Sequence, residues 1–201
     1  MPKLENGLKR MWGTRREIIL TENILPHFLR KGNVLDVGCG DGFLAHLLTK
    51  QRSNVVGIDI SSSKIKYAHG MCSGADFIIA DGRFLPFRSE SFDVVVCSEV
   101  FEHVLNYPLI INEIYRIIRK KGKLLITVPY LMHVHIHTFD EQKISNSLTN
   151  CGFTVKRIYG IGFELEGIGK RFPSKLRVFF HQVFYFFFKR ANFLLVISYK
   201  S

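Results

Sequence analysis

Residues 34–44 read VLDVGCGDGFL: an apolar run, then three glycines at alternate positions, Gly38, Gly40 and Gly42. An apolar run that breaks into a glycine-rich turn and resumes as an amphipathic stretch starts an open α/β sheet, and such turns commonly cradle phosphate. This turn is flanked by carboxylates, Asp36 and Asp41. A pyrophosphate about 4 Å from either would be repelled by a few kcal/mol even at an effective dielectric of about 20, whereas an ammonium or sulfonium would be attracted. The lysine of a triphosphate-binding loop is missing as well.

Working outward, short β-branched runs alternate with amphipathic stretches, which predicts a parallel sheet with helices on both faces. The strands are expected at 34–38, 55–60, 77–81, 92–98 and 123–129, with helices at 42–51, 62–70 and 107–120. In the last helix Ile110, Ile111, Ile114, Tyr115, Ile117 and Ile118 form a core-facing stripe. Thr138 followed by Glu141 reads as a capping box for a helix ending near Gly152, and 153–161 and 193–200 read as two final strands. The expected organisation is one domain over 1–201, with an N-terminal helical cap at 1–31 and a helical insertion at 163–191.

In such a sheet the ligand sits beyond the carboxyl ends of the strands, at the switch point beside the first one. Asp59 ends the second run 21 residues after Gly38, the offset of a carboxylate that holds ribose hydroxyls. Asp81 ends the third and reaches an adenine amino group, with Gly82 allowing close approach. A ribose, an adenine and a positive charge near the turn together describe S-adenosylmethionine.

The stretches VLDVGCGDG, GIDIS, ADGRFLPF, SFDVVVCSEVFEHV, EIYRIIRKKGKLLITVP and GFTV, in this order over residues 33–158, resemble the class I S-adenosylmethionine-dependent methyltransferases. Within that family they resemble the group that includes the ubiquinone and menaquinone biosynthesis enzymes. The resemblance implies a doubly wound, Rossmann-like sheet of seven strands whose last strand, 193–200, is antiparallel. It also implies that Gly38, Gly40 and the backbone of Cys39 pack against the methionine and ribose, and that Asp36 fixes the turn or the amino group. Ile60 would cover the adenine face, and Ser98 would lie beside the methionine. The product would be S-adenosylhomocysteine.

An acceptor that is a poor nucleophile needs a general base. Glu102 and His103, after the fourth strand, are the candidates. His133, His135 and His137 fall on one side of an extended piece, but no carboxylate or cysteine completes a ligand set, so a solvent- or substrate-facing loop is expected rather than a metal site. Motifs for amino methylation of adenine and for pyrimidine carbon methylation are missing, which disfavours those chemistries.

The net charge of +11 gathers largely at the two ends of the chain. Over 170–190 a helix would carry a broad apolar stripe with flanking lysines and arginines, too short to span a bilayer. It suits peripheral membrane contact, a lid over the site or a homodimer interface. An apolar or apolar-tailed acceptor follows from any of these. RNA held by the basic surface and a non-catalytic cofactor-binding regulator are the alternatives. Four dispersed cysteines and a polar N-terminus suggest a cytoplasmic protein, with a peripheral place at the membrane surface if the 170–190 helix serves as the membrane contact.

Overall fold

The computed structural model describes residues 32–50, 54–130, 136–161 and 193–200. The expected cap at 1–31, the whole of the insertion at 163–191 with its 170–190 helix, and His133 and His135 lie outside the described residues. No helix among the described residues is long and apolar enough to cross a membrane.

Seven strands form one sheet: β1 (Asn33–Val37), β2 (Asn54–Asp59), β3 (Ala75–Ile79), β4 (Phe92–Ser98), β5 (Ile118–Pro129), β6 (Phe153–Ile161) and β7 (Phe193–Lys200). Their spatial order is β3-β2-β1-β4-β5-β7-β6. The first five are mutually parallel, and β7 runs antiparallel to both β5 and β6, as expected. The chain leaves β1 for β2 on one side and later returns to β4 on the other, so a crevice opens at the carboxyl end of β1.

The helices are α1 (Phe43–Thr49), α2 (Ser62–Met71), α3 (Tyr107–Ile117) and α4 (Glu141–Asn150). On one face Leu35, Val95, Ile126 and Val196 pack with Ile110, Ile111 and Ile114 of α3 and with Ile144 and Leu148 of α4. On the other, Val34, Val94, Val96, Leu125 and Ile197 pack with Leu44 and Leu48 of α1 and Ile65 of α2. Both faces are covered, so the central strands read as continuous apolar runs. Each large side chain buried this way contributes about 1.5–3 kcal/mol.

Three of the differences from the sequence expectation have a physical cause. The helix expected to reach 120 ends at Ile117, and Ile118 pairs with Phe92 in β5 instead. The main-chain N–H groups of Glu90 and Ser91 donate to the carbonyls of Arg116 and Ile117, which satisfies the end of α3. Within β5 the pairing with β4 then shifts from Ile118–Phe92 to Lys123–Val94, and this irregularity brings Gly122 so close to the Arg119 carbonyl that a Cβ there would sit 2.7 Å from it. β3 is shifted to Ala75–Ile79, because its ladder ends opposite Asp59 where β2 ends; Ala80 and Asp81 therefore leave the sheet. α4 is capped by Asp140, whose Oδ1 accepts the Lys143 N–H at 2.7 Å, and not by Thr138. Phe139 is fully buried and bridges Tyr130, which keeps residues 138–139 extended.

Candidate active site

A cavity of about 470 Å³ opens at the carboxyl ends of β1–β4, between 300 and 1,000 Å³ as small-molecule sites commonly are. Of the residues expected to bind or act, Gly38, Asp59, Ile60, Asp81, Gly82 and His103 line it. Asp36, Cys39, Gly40, Ser98 and Glu102 are not part of its lining.

The glycine turn is built by the neighbouring strands. Gly38 has φ +72°, and a Cβ there would fall 2.3 Å from Val100 Cγ2, so β4's exit packs directly on its backbone. Cys39 N–H donates to the Ile58 carbonyl at 2.8 Å, and Gly40 N–H donates to Asp59 Oδ2 at 3.0 Å. Asp59 Oδ1 accepts the Ser61 N–H at 2.9 Å, so one carboxylate ties the turn to the start of α2. A carboxylate offers about four acceptor positions, which leaves room for hydroxyl donors. Gly40, at φ +54°, faces open space: a Cβ there would meet nothing within 4 Å.

At the base end Ile60 is 69% exposed although it lines the cavity, an apolar face left for a flat ligand. Asp81 carries a partner that its spacing did not show. Arg83 grips its carboxylate through Nε and Nη2, at 3.1 and 2.6 Å, and the Arg83 main-chain N–H adds a third donor at 2.9 Å. Those hydrogen bonds hold the Asp81 carboxyl below the usual carboxylate range. A ligand amino group would have to share this carboxylate with the guanidinium. Gly82 lies against Val37 and Ile110 at the cavity floor.

The field around the turn is negative. Burial first, and then Asp36 and Asp59, push the Cys39 thiol far above its ordinary value. Burial, followed by Glu102, Asp36 and Glu99, does the same to Cys97. Asp41 is raised by burial and by Asp59, against the opposing charge of Lys64. This chemistry fits S-adenosylmethionine: acceptors for a ribose, an apolar face for a base, and carboxylates around a cationic centre.

Past β4 the chain supplies groups that the sequence reading did not single out for the cavity. Glu99 lines it and holds the left-handed φ of 56°, while its N–H donates to the Thr127 carbonyl at 3.0 Å. A non-glycine residue held there marks a backbone over-determined by its surroundings, as is common at functional sites. Only its place just beyond a strand at the switch point could have pointed to it. Ser98 turns instead to Thr127, Oγ to Oγ1 at 2.7 Å. Glu102 is buried, with Oε1 3.9 Å from Nε2 of His103, which is 62% exposed at the mouth. An imidazole with a carboxylate behind it can accept a proton from a bound hydroxyl. Leu105, 78% exposed, continues the lining beside it.

Residues 35–126 match the family model described as a methyltransferase domain. Over 126 residues the chain is 30% identical to the demethylmenaquinone methyltransferase of Thermotoga maritima, covering 61% of this chain and 52% of that protein. Over 104 residues it is 35% identical to the ubiquinone biosynthesis O-methyltransferase of Xylella fastidiosa, covering 49% and 42% respectively. The fold matches a SAM-dependent methyltransferase from Methanosarcina mazei with a TM-score of 0.69 at 19% identity, over 89% of this chain and 97% of that one. The chain spans about half the length of the curated relatives it matches.

Proposed function

We propose that the chain is a class I S-adenosylmethionine-dependent methyltransferase and that it methylates a small-molecule or lipid-like acceptor at the mouth of the cavity. When bound, the cofactor supplies a methyl group already activated as a sulfonium. The residues of the chain then have three tasks. Asp59 holds the ribose hydroxyls with the acceptor capacity left over from Gly40 and Ser61, and Ile60 covers the base. The carboxylates around the glycine turn, Glu99 among them, favour the cationic end over any phosphate. His103 takes the proton of an acceptor hydroxyl, and the buried Glu102 side chain 3.9 Å away supplies a nearby negative charge for the imidazolium that results.

The observation that carries the acceptor class is the pairing of His103 with the exposed Leu105 on one rim. An apolar surface beside a proton acceptor suits a phenol or alcohol on an apolar skeleton. Two relatives named for ubiquinone biosynthesis and for demethylmenaquinone support the same class. In the cavity lining the carboxylates Asp59, Asp81 and Glu99 outnumber the cations Lys64 and Arg83, which weighs against a polyphosphate strand.

The test incubates the protein with methyl-labelled S-adenosylmethionine and, separately, with the lipid, small-molecule and RNA fractions of its source cell. Label is expected in the lipid or small-molecule fraction, reduced at least tenfold in Leu105→Asp. Label in RNA alone would overturn the acceptor class, and undiminished turnover in His103→Ala would remove the base.

A further inference from the structure

We propose that His137 is a positioning residue for methyl transfer, holding the His103–Leu105 loop at the cavity mouth through a single imidazole N–H. The inference rests on the reading that the cavity takes the cofactor and that His103 meets the acceptor. His137 Nε2 lies 3.1 Å from the Val104 carbonyl oxygen and 3.0 Å from that of Leu105. Both partners are acceptors, so Nε2 must carry the proton and donate to the pair. One residue earlier, Ile136 N–H donates to the Glu102 carbonyl at 3.1 Å. Residues 136–137, beyond β5, thus bind the carbonyls on either side of His103.

The ring is held from behind by the core. It packs edge-on against Tyr107, with centroids 4.9 Å apart, and against Phe139 at 6.2 Å. Tyr107 is in turn bonded to Ser147 of α4, Oη to Oγ at 2.9 Å, and Phe139 is fully buried. The two residues it grips, Val104 and Leu105, lie between the short 3₁₀ turn Phe101–His103 and α3, and belong to neither. Val104 and Leu105 line the cavity whereas His137 does not. His137 therefore acts through them rather than on the ligand.

The experiment compares the full chain with His137→Phe, which keeps the ring packing and removes the N–H, and with His137→Gln, which restores a donor. In protein without ligand, amide hydrogen exchange at residues 103–106 should quicken about tenfold in His137→Phe and return to within about threefold of the starting rate in His137→Gln, on the scale of one lost hydrogen bond. Turnover with the labelled acceptor fraction should fall at least about fivefold in His137→Phe, with KM for S-adenosylmethionine within about twofold. A ring spectrum at pH 8 should place the proton of wild-type His137 on Nε2, and this reading stands even if His137→Phe does not fold. Unchanged exchange in His137→Phe, or a proton on Nδ1, would overturn the clamp. Failure of S-adenosylhomocysteine to bind the unaltered protein would instead overturn the cofactor reading and the catalytic half of this proposal.

Discussion

Gly38 and Gly40 share a left-handed backbone yet answer to different constraints. At Gly38 a methyl group meets both the φ penalty and Val100, so Gly38→Ala should destabilise the fold by about 2–4 kcal/mol, measured by urea unfolding. At Gly40 only the φ penalty applies, because the space above it is open. Gly40→Ala should cost about 1–2 kcal/mol of stability but lower the affinity for S-adenosylhomocysteine at least tenfold by calorimetry. Unchanged affinity would mean that the turn does not approach the cofactor. On the proposed function Asp59 serves both the turn and the cofactor: Asp59→Ala should lose about 1–3 kcal/mol from two orphaned main-chain donors and abolish measurable S-adenosylhomocysteine binding. Of the candidate residues, Asp59 was legible from its spacing to Gly38 alone. The engagement of Asp81 by Arg83 was not, because a two-residue ion pair across a turn depends on a backbone path that spacing does not specify.

α3 is the element that fixes the opposite wall. Its buried stripe seats it on the sheet, and its polar edge holds the connection between β3 and β4. Glu113 Oε2 accepts the Leu85 N–H at 2.8 Å, while Arg116 donates to the carbonyls of Phe87 and Leu85 at 2.7 and 3.0 Å and to Glu113 itself. The Arg116 hydrogen bond is the main cause that holds Glu113 below its ordinary value, as Arg83 does for Asp81. Burial pushes Asp93 up, but the Asn33 N–H and Arg119 outweigh it and leave it lowered too. At all three the folded protein binds fewer protons than the unfolded chain, so stability rises with pH through this window. It should be fully present above the ordinary carboxylate values of about 3.9–4.3 and fade as pH falls below them. Thermal melts between pH 6 and pH 3 should show the decline, and Glu113→Gln should be less stable at pH 6 with a shallower acid slope. An equal slope in the variant would sink the assignment. The apolar period of α3 was plain in the sequence; its end was not, because Ile118 continues the stripe while the ladder to Phe92 and the donors from Glu90 and Ser91 draw it into β5.

For the molecule as a whole, a ligand that binds only the folded state raises stability by mass action, about 2.7 kcal/mol at a hundredfold excess over Kd. For a chain of this size that is a rise in Tm of about 5–10 °C. S-adenosylhomocysteine should give such a rise and NADH none; a rise with NADH would contradict the negative field at the glycine turn. The sequence by itself determined the sheet, its glycine turn and the class of ligand, because strand and helix periodicity and the spacing of Gly38 to Asp59 are local along the chain. Tertiary structure alone decided what stands around that ligand. Glu99 enters the cavity through a left-handed backbone held by Thr127 of β5, and His137 reaches back to carbonyls 32 and 33 residues earlier. Such contacts join the ends of β4 and β5, which become neighbours only when the two strands pair side by side across the intervening α3, and no pattern within one segment encodes them.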